Sequence, residues 1–159
     1  HKPAYDLPEE PEAQVAIQAF LEWEKATQVI WLASEAIVAS PTHKFAGTLD
    51  ALAYTERGLT VVDFKTSSQI SDEYFLQLAG YQICLEEMGI PVDSRLIVRI
   101  PKTKGKVEEM YVPTPASFDK QVFLYLREIH RWNLLVATLK TENGQIKNNT
   151  KQNGNIPQV

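Results

Sequence analysis

One cysteine, Cys84, is present in a chain of 159 residues. An internal disulfide is therefore excluded, and a reducing, cytoplasmic setting is expected. Cys84 sits in an apolar helical pattern, which favours a small buried side chain over a nucleophile. No apolar run approaches the roughly 18 residues of a membrane helix, and the N-terminus lacks the pattern of a signal peptide. No membrane partner is expected. Positive charge is also in deficit: 16 Lys and Arg stand against 20 Asp and Glu, a formal net charge of −4. That balance argues against a uniformly basic, nucleic-acid-coating surface, but it leaves room for a local basic channel, because an acidic metal site lowers the total. No internal repeat is visible. The first residue is His1 rather than Met, which raises the expectation of a fragment lacking upstream residues.

What is present is an ordinary globular composition, 44% hydrophobic and 23% charged, enough for a single buried core. An irregular lead-in over residues 1–8 gives way to helical spacing of Val15, Ile17, Phe20, Leu21 and Trp23 between Glu9 and Thr27. A strand is expected over Val29–Ala39, then a hairpin of Ala46–Tyr54 and Leu59–Thr66. Ser71-Asp72-Glu73 opens a helix that Gly89 stops. A second hairpin, Arg95–Ile100 with Val107–Val112, precedes a helix from Pro115 to about Leu139. The expected fold is α/β in the order α-β-β-β-α-β-β-α, a central mixed sheet flanked by helices. Residues 1–139 form one domain in this reading. Residues 140–159, rich in Asn, Gln, Lys and Gly, form a disordered or loosely docked polar tail.

The first hairpin carries charge where burial makes it expensive. With the turn centred between Glu56 and Arg57, Tyr54 faces Leu59, Leu52 faces Val61, Asp50 faces Asp63 and Thr48 faces Lys65. Alternation puts all of these on one face, and Leu49, Ala51, Ala53, Val62 and Phe64 on the other. Directly opposed residues have Cβ atoms roughly 4.5–5.5 Å apart. Two half-buried carboxylates at that distance repel, unless they share a proton or hold a cation between them. A hard divalent ion with oxygen ligands answers the conflict, and Lys65 returns to the same face to offset charge, position a water or stabilise charge on a phosphate. The plainer reading, an ion pair on a solvated face, is disfavoured because Leu52, Val61, Val62 and Phe64 surround these groups.

Gly47-Thr48-Leu49-Asp50 followed by Asp63-Phe64-Lys65-Thr66-Ser67 resembles the second and third motifs of the PD-(D/E)xK nuclease superfamily. The similarity is closest to the RecB-type branch, which includes the mitochondrial genome maintenance exonuclease and phage exonucleases. That branch also carries a Gln-x-x-x-Tyr helix, matched by Gln77-Leu78-Ala79-Gly80-Tyr81, and a strand glutamate, matched in Trp31-Leu32-Ala33-Ser34-Glu35. The resemblance covers about residues 29 to 85 and implies a restriction-endonuclease-like core. It implies Asp50, Asp63 and the backbone carbonyl of Phe64 as ligands of Mg²⁺ or Mn²⁺, with Lys65 as the catalytic lysine. Gln77 and Tyr81 would support the site or touch DNA; read alone, they are a polar stripe beside a packed tyrosine. Glu35, mid-strand among apolar residues, is not expected at the surface. It is read as a further ligand, a group holding Lys65, or a structural acid, with a place at or near the metal preferred.

The pattern departs from the branch in one respect, since the branch often adds a metal ligand from an upstream helix. Glu12, Glu22 and Glu24 stand on the first helix without a motif to single one out. His43 precedes the second motif and is a candidate to approach the site, although a loop histidine is more often simply solvated. Lys102, Lys104 and Lys106 are read equally as phosphate contacts or as a solvated turn. The function implied is metal-dependent hydrolysis of phosphodiesters in DNA, an exonuclease before an endonuclease, in recombination, replication or repair with the proteins of those processes. A non-cleaving DNA-binding scaffold and a metal-dependent hydrolase of another substrate are the competing readings.

Overall fold

The computed structural model describes residues 8–103 and 105–152. His1, the lead-in before Pro8, Lys104 and the tail beyond Gln152 lie outside the described residues. Two compact units are present, His1–Gln121 and Val122–Val159. The element order is α1 (Pro11–Thr27), β1 (Ile30–Ser40), β2 (Phe45–Thr55), β3 (Gly58–Lys65), α2 (Glu73–Glu87), β4 (Ser94–Arg99), β5 (Glu108–Tyr111) and α3 (Ala116–Gln152). This is the expected α-β-β-β-α-β-β-α arrangement. α3 continues beyond the expected stop near Leu139 to Gln152, because Leu139 marks where apolar residues run out, not where the backbone must leave the helix.

The helix ends follow local chemistry. Pro11 occupies the first turn of α1, where its missing N–H costs nothing, and Gln28 closes that helix in the left-handed region. Gly89, at φ 80°, turns the chain out of α2, and the Ile90 N–H donates back to the Leu85 carbonyl at 2.9 Å.

One five-stranded sheet has the order β1-β2-β3-β4-β5. β3 and β4 are parallel, joined through α2, and the other neighbours are antiparallel. Both faces are apolar. Leu52, Leu59 and Val61 pack with Leu78, Cys84 and Leu85 of α2 on one face. Ala51, Ala53, Val62, Leu96 and Val98 pack with Phe20 and Trp23 of α1 on the other. Cys84 is fully buried, as its surroundings in sequence indicate.

The β2–β3 register matches the turn as read, with Tyr54 opposite Leu59 and Leu52 opposite Val61. Beyond Ala51 and Val62 it does not: the expected pairings of Asp50 with Asp63 and of Thr48 with Lys65 are not formed, and the alternation around Asp50 is lost. Leu49 packs on the α2 side with Leu52, three residues away, instead of joining Ala51 and Ala53. Ala33 and Ala36 on β1 repeat this three-residue spacing. Residues three apart on a regular strand face opposite sides, so both strands are irregular between these points. The β1–β2 pairing runs Ser34 to Ala51 and resumes at Ala36 to Leu49, skipping the Glu35–Asp50 step. Glu35 there has φ 51°, left-handed for a non-glycine residue. The register itself shifts between Trp31 and Ala33.

At the start of α3 a buried ion pair fastens the helix to β4. Arg95 Nη1 lies 2.7 Å from Asp119 Oδ2, while Arg95 Nη2 donates to the Thr114 carbonyl at 2.8 Å. Thr114 Oγ1 also donates to Asp119 Oδ2. Both charges are nearly fully buried, and each is satisfied by hydrogen bonds as burial demands.

Candidate active site

β3 brings Asp63 into the core and leaves Lys65, two residues on, half-buried beside it on the face covered by α2. Asp63 is 0% exposed. Lys65 Nζ donates to Asp63 Oδ1 at 2.8 Å and approaches Oδ2 at 2.6 Å. The second approach is an ion-pair contact outside hydrogen-bonding geometry, so Oδ2 remains buried without a hydrogen bond. Burial pushes the Asp63 carboxyl above the usual carboxylate range. The Lys65 ammonium pulls it back, and the Asp50 charge adds to the rise.

Asp50 reaches this group through the irregularity in β2. Backbone pairing of β2 with β3 extends to Ala51–Val62. At the next step the Asp50 carboxylate, through Oδ2, accepts the Phe64 backbone N–H at 2.8 Å. A side chain thus continues the ladder where the strands stop pairing. Lys65 directs its own carbonyl to β4, accepting from the Ile100 N–H at 2.8 Å. Backbone groups of successive strand residues point to alternate neighbours, so the Phe64 carbonyl points back towards Asp50.

The α2 helix completes the surroundings of Lys65. Gln77 Oε1 accepts from Lys65 Nζ at 3.2 Å, and Gln77 Nε2 donates to the Tyr81 hydroxyl at 3.0 Å. Their four-residue spacing on the helix places both on one face. The Tyr74 ring lies 4.6 Å from Lys65 Nζ, a cation–π contact. Gly47 is the reason the Tyr81 ring can lie against β2, since a Cβ at Gly47 would stand 2.9 Å from Tyr81 Cε1. The continuous array is therefore Gly47, Tyr81, Gln77, Lys65, Asp63 and Asp50.

Two sequence candidates lie outside this hydrogen-bonded array. Glu35 is solvent-exposed, contrary to the expectation from its apolar neighbours in sequence. The irregular step at its left-handed φ breaks the alternation that would have carried it into the core. His43 is held by the far end of α2, where its Nε2 lies 3.7 Å from Glu87 Oε1. Glu87 also accepts from Ser40 Oγ at 2.7 Å, and the Ser40 hydrogen bond helps to hold its carboxyl below the usual range, chiefly by stabilising the charged form. Lys102 and Lys106 are exposed in the β4–β5 connection. Tyr74 was not singled out in sequence, although its three-residue offset from Gln77 was a signal that it shares that face.

The donor set fits a hard divalent cation. Asp50 and Asp63 supply carboxylate oxygens and Phe64 a carbonyl; Asp63 Oδ2 is buried without a hydrogen bond, in ion-pair contact with Lys65. No three His, Cys, Asp or Glu side chains converge as a metal-binding group among the described residues. Mg²⁺ commonly takes one or two carboxylates together with waters and substrate oxygens. No helix of the described residues is long and apolar enough to cross a membrane.

Comparison with family models matches the PD-(D/E)XK nuclease superfamily over residues 5–153. A crystal structure of an alkaline exonuclease (LHK-Exo) from Laribacter hongkongensis is similar over 80% of this chain and 72% of that one, at 14% sequence identity and a TM-score of 0.47. No curated protein matches.

Proposed function

This chain belongs to the PD-(D/E)XK nuclease superfamily, and on that premise we propose that it is a metal-dependent deoxyribonuclease of the RecB-type branch, acting as an exonuclease. The observation that carries the reading is the Asp63–Lys65–Gln77 array with Asp50 drawn onto the Phe64 amide. Asp50, Asp63 and the Phe64 carbonyl would hold Mg²⁺ or Mn²⁺. When bound, such an ion polarises a phosphodiester and lowers the pKa of a nearby water.

The remaining work falls to the chain's own groups. Lys65 has three N–H donors; Asp63 and Gln77 orient it, and it would turn one donor to a phosphate oxygen or to the attacking water. Charge developing on the phosphate is then met by an ammonium already oriented, at no further cost of ordering a long side chain. Gln77 fixes Lys65 from the helix, and Tyr81 fixes Gln77 through its hydroxyl. Glu35, exposed beside Asp50 in sequence register, is placed here as a group at the solvent side of the metal region. Lys102 and Lys106 would contact phosphates.

The test is cleavage of linear, circular and single-stranded DNA with Mg²⁺ or Mn²⁺, with and without chelator, for wild type and Lys65→Ala. Metal-dependent loss of linear DNA, abolished by Lys65→Ala, supports the proposal, and full activity of Lys65→Ala refutes the role of Lys65. DNA binding without cleavage would favour the scaffold reading.

A further inference from the structure

The last helix carries a pattern that the site does not use. Along α3, Phe118, Val122, Tyr125, Ile129, Trp132, Val136 and Leu139 follow one another at alternating steps of four and three residues. That is an unbroken seven-residue repeat, the period of a left-handed coiled-coil seam. β-Branched residues fill one of the two positions, Val122, Ile129 and Val136, and Tyr125, Trp132 and Leu139 fill the other. Large apolar groups on this line are open to solvent: Ile129 is 56% exposed and Trp132 63%.

We propose that this seam is a dimerisation surface whose occupant is α3 of a second copy of this chain, packed parallel and in register. β-Branched residues at the first seam position combined with Leu at the second favour two parallel strands; here Val122, Ile129 and Val136 fill the first, and the second holds Leu139 with the larger Tyr125 and Trp132. The residues flanking the seam are compatible with themselves. In the parallel register Glu128 meets Asn133 and Leu135 meets Lys140, so no like charges oppose one another. Leu126 and Leu135 border the seam on its two sides and are themselves apolar, which widens the contact.

The area is sufficient. A fully buried aromatic side chain covers about 150–250 Å². Covering the exposed parts of Phe118, Tyr125 and Trp132 in both copies removes roughly 500–900 Å², by that scale. The aliphatic members add a comparable amount. The total reaches the range of about 1,200–2,000 Å² typical of stable interfaces.

The experiment is sedimentation of the whole chain from about 1 to about 100 µM, the range in which a dimer of micromolar Kd changes its mass. Wild type is expected to rise towards twice the monomer mass across this range, Ile129→Lys to stay at the monomer mass, and Ile129→Val to follow wild type. Circular dichroism of Ile129→Lys checks that the first unit stays folded. Val136→Cys under mild oxidation is expected to yield a disulfide-linked dimer, because in-register seam residues meet their own copies and Cys84 is buried. A wild-type monomer throughout the range overturns the proposal and leaves the face to a partner of different sequence. A dimer that survives Ile129→Lys overturns the seam, and a dimer that Val136→Cys does not cross-link overturns the parallel register.

Discussion

Gly47→Ala isolates the link between β2 and the helix that supports Lys65. The residue has an ordinary φ, since the only described glycines with positive φ are Gly58 and Gly89, so the substitution tests space and not backbone conformation. Two effects compete. Alanine in a strand is intrinsically better than glycine by about 0.5–1 kcal/mol. Against that, its Cβ would lie 2.9 Å from Tyr81 Cε1, well inside the roughly 3.5–4.0 Å of a good carbon–carbon contact. The ring must retreat by about 0.6–1 Å to restore that contact. Its hydroxyl is tethered at 3.0 Å to Gln77, so the movement strains or breaks that hydrogen bond. Overpacking of this kind costs about 1–3 kcal/mol, and the net loss is about 0.5–2 kcal/mol once the strand preference is credited. For a chain of this length that is a fall in Tm of roughly 1–8 °C. Differential scanning calorimetry of Gly47→Ala, Tyr81→Ala and the double variant is the assay. Removing the ring first should make Gly47→Ala neutral or stabilising, a coupling read from the double-mutant cycle. Equal effects of Gly47→Ala with and without the ring would refute the contact.

Three further outcomes follow from burial. Arg95→Met should destabilise by about 3–5 kcal/mol, because Asp119 is left as an unpaired buried charge, and Arg95→Met/Asp119→Leu should recover much of the loss by chemical denaturation. Cys84, its thiol pushed up to about 11 chiefly by burial, should resist a thiol reagent at pH 8 in the native protein and react on unfolding. Asp63 keeps its proton in the native state after the unfolded chain has lost it. Its contribution to metal-free stability therefore falls as pH rises from near 3.8 through the raised native value, and then levels off. The difference in Tm between wild type and Asp63→Asn, measured against pH without metal, should show that decline, and a difference that does not change with pH would contradict it.

The hairpin register was legible because turn residues and apolar alternation both point to it, and Leu52 against Val61 sits as read. So was the Gln77–Tyr81 face, which helical spacing alone specifies. The irregular step at Glu35 and Asp50 was not legible. A period of two carries no mark of a left-handed φ at glutamate, so Leu49 was assigned to the wrong face and Glu35 to the interior. His43 lies close in sequence to the second motif, but the carboxylate that holds it, Glu87, belongs to the end of α2. Arg95 and Asp119 gave no local sign of their pairing, because it depends on where α3 starts against β4. Tyr74 became visible as a partner of Lys65 only once the helix was set against the strand.

In the proposed function, Asp63, Asp50 and Lys65 act together with a divalent ion to hydrolyse a phosphodiester. The most direct measurement is release of nucleotides from linear duplex DNA by wild type and by Asp63→Asn, in Mn²⁺ and in chelator. Release by wild type in Mn²⁺, lost in chelator and in folded Asp63→Asn, is the predicted result; release that persists in chelator or in Asp63→Asn would contradict it.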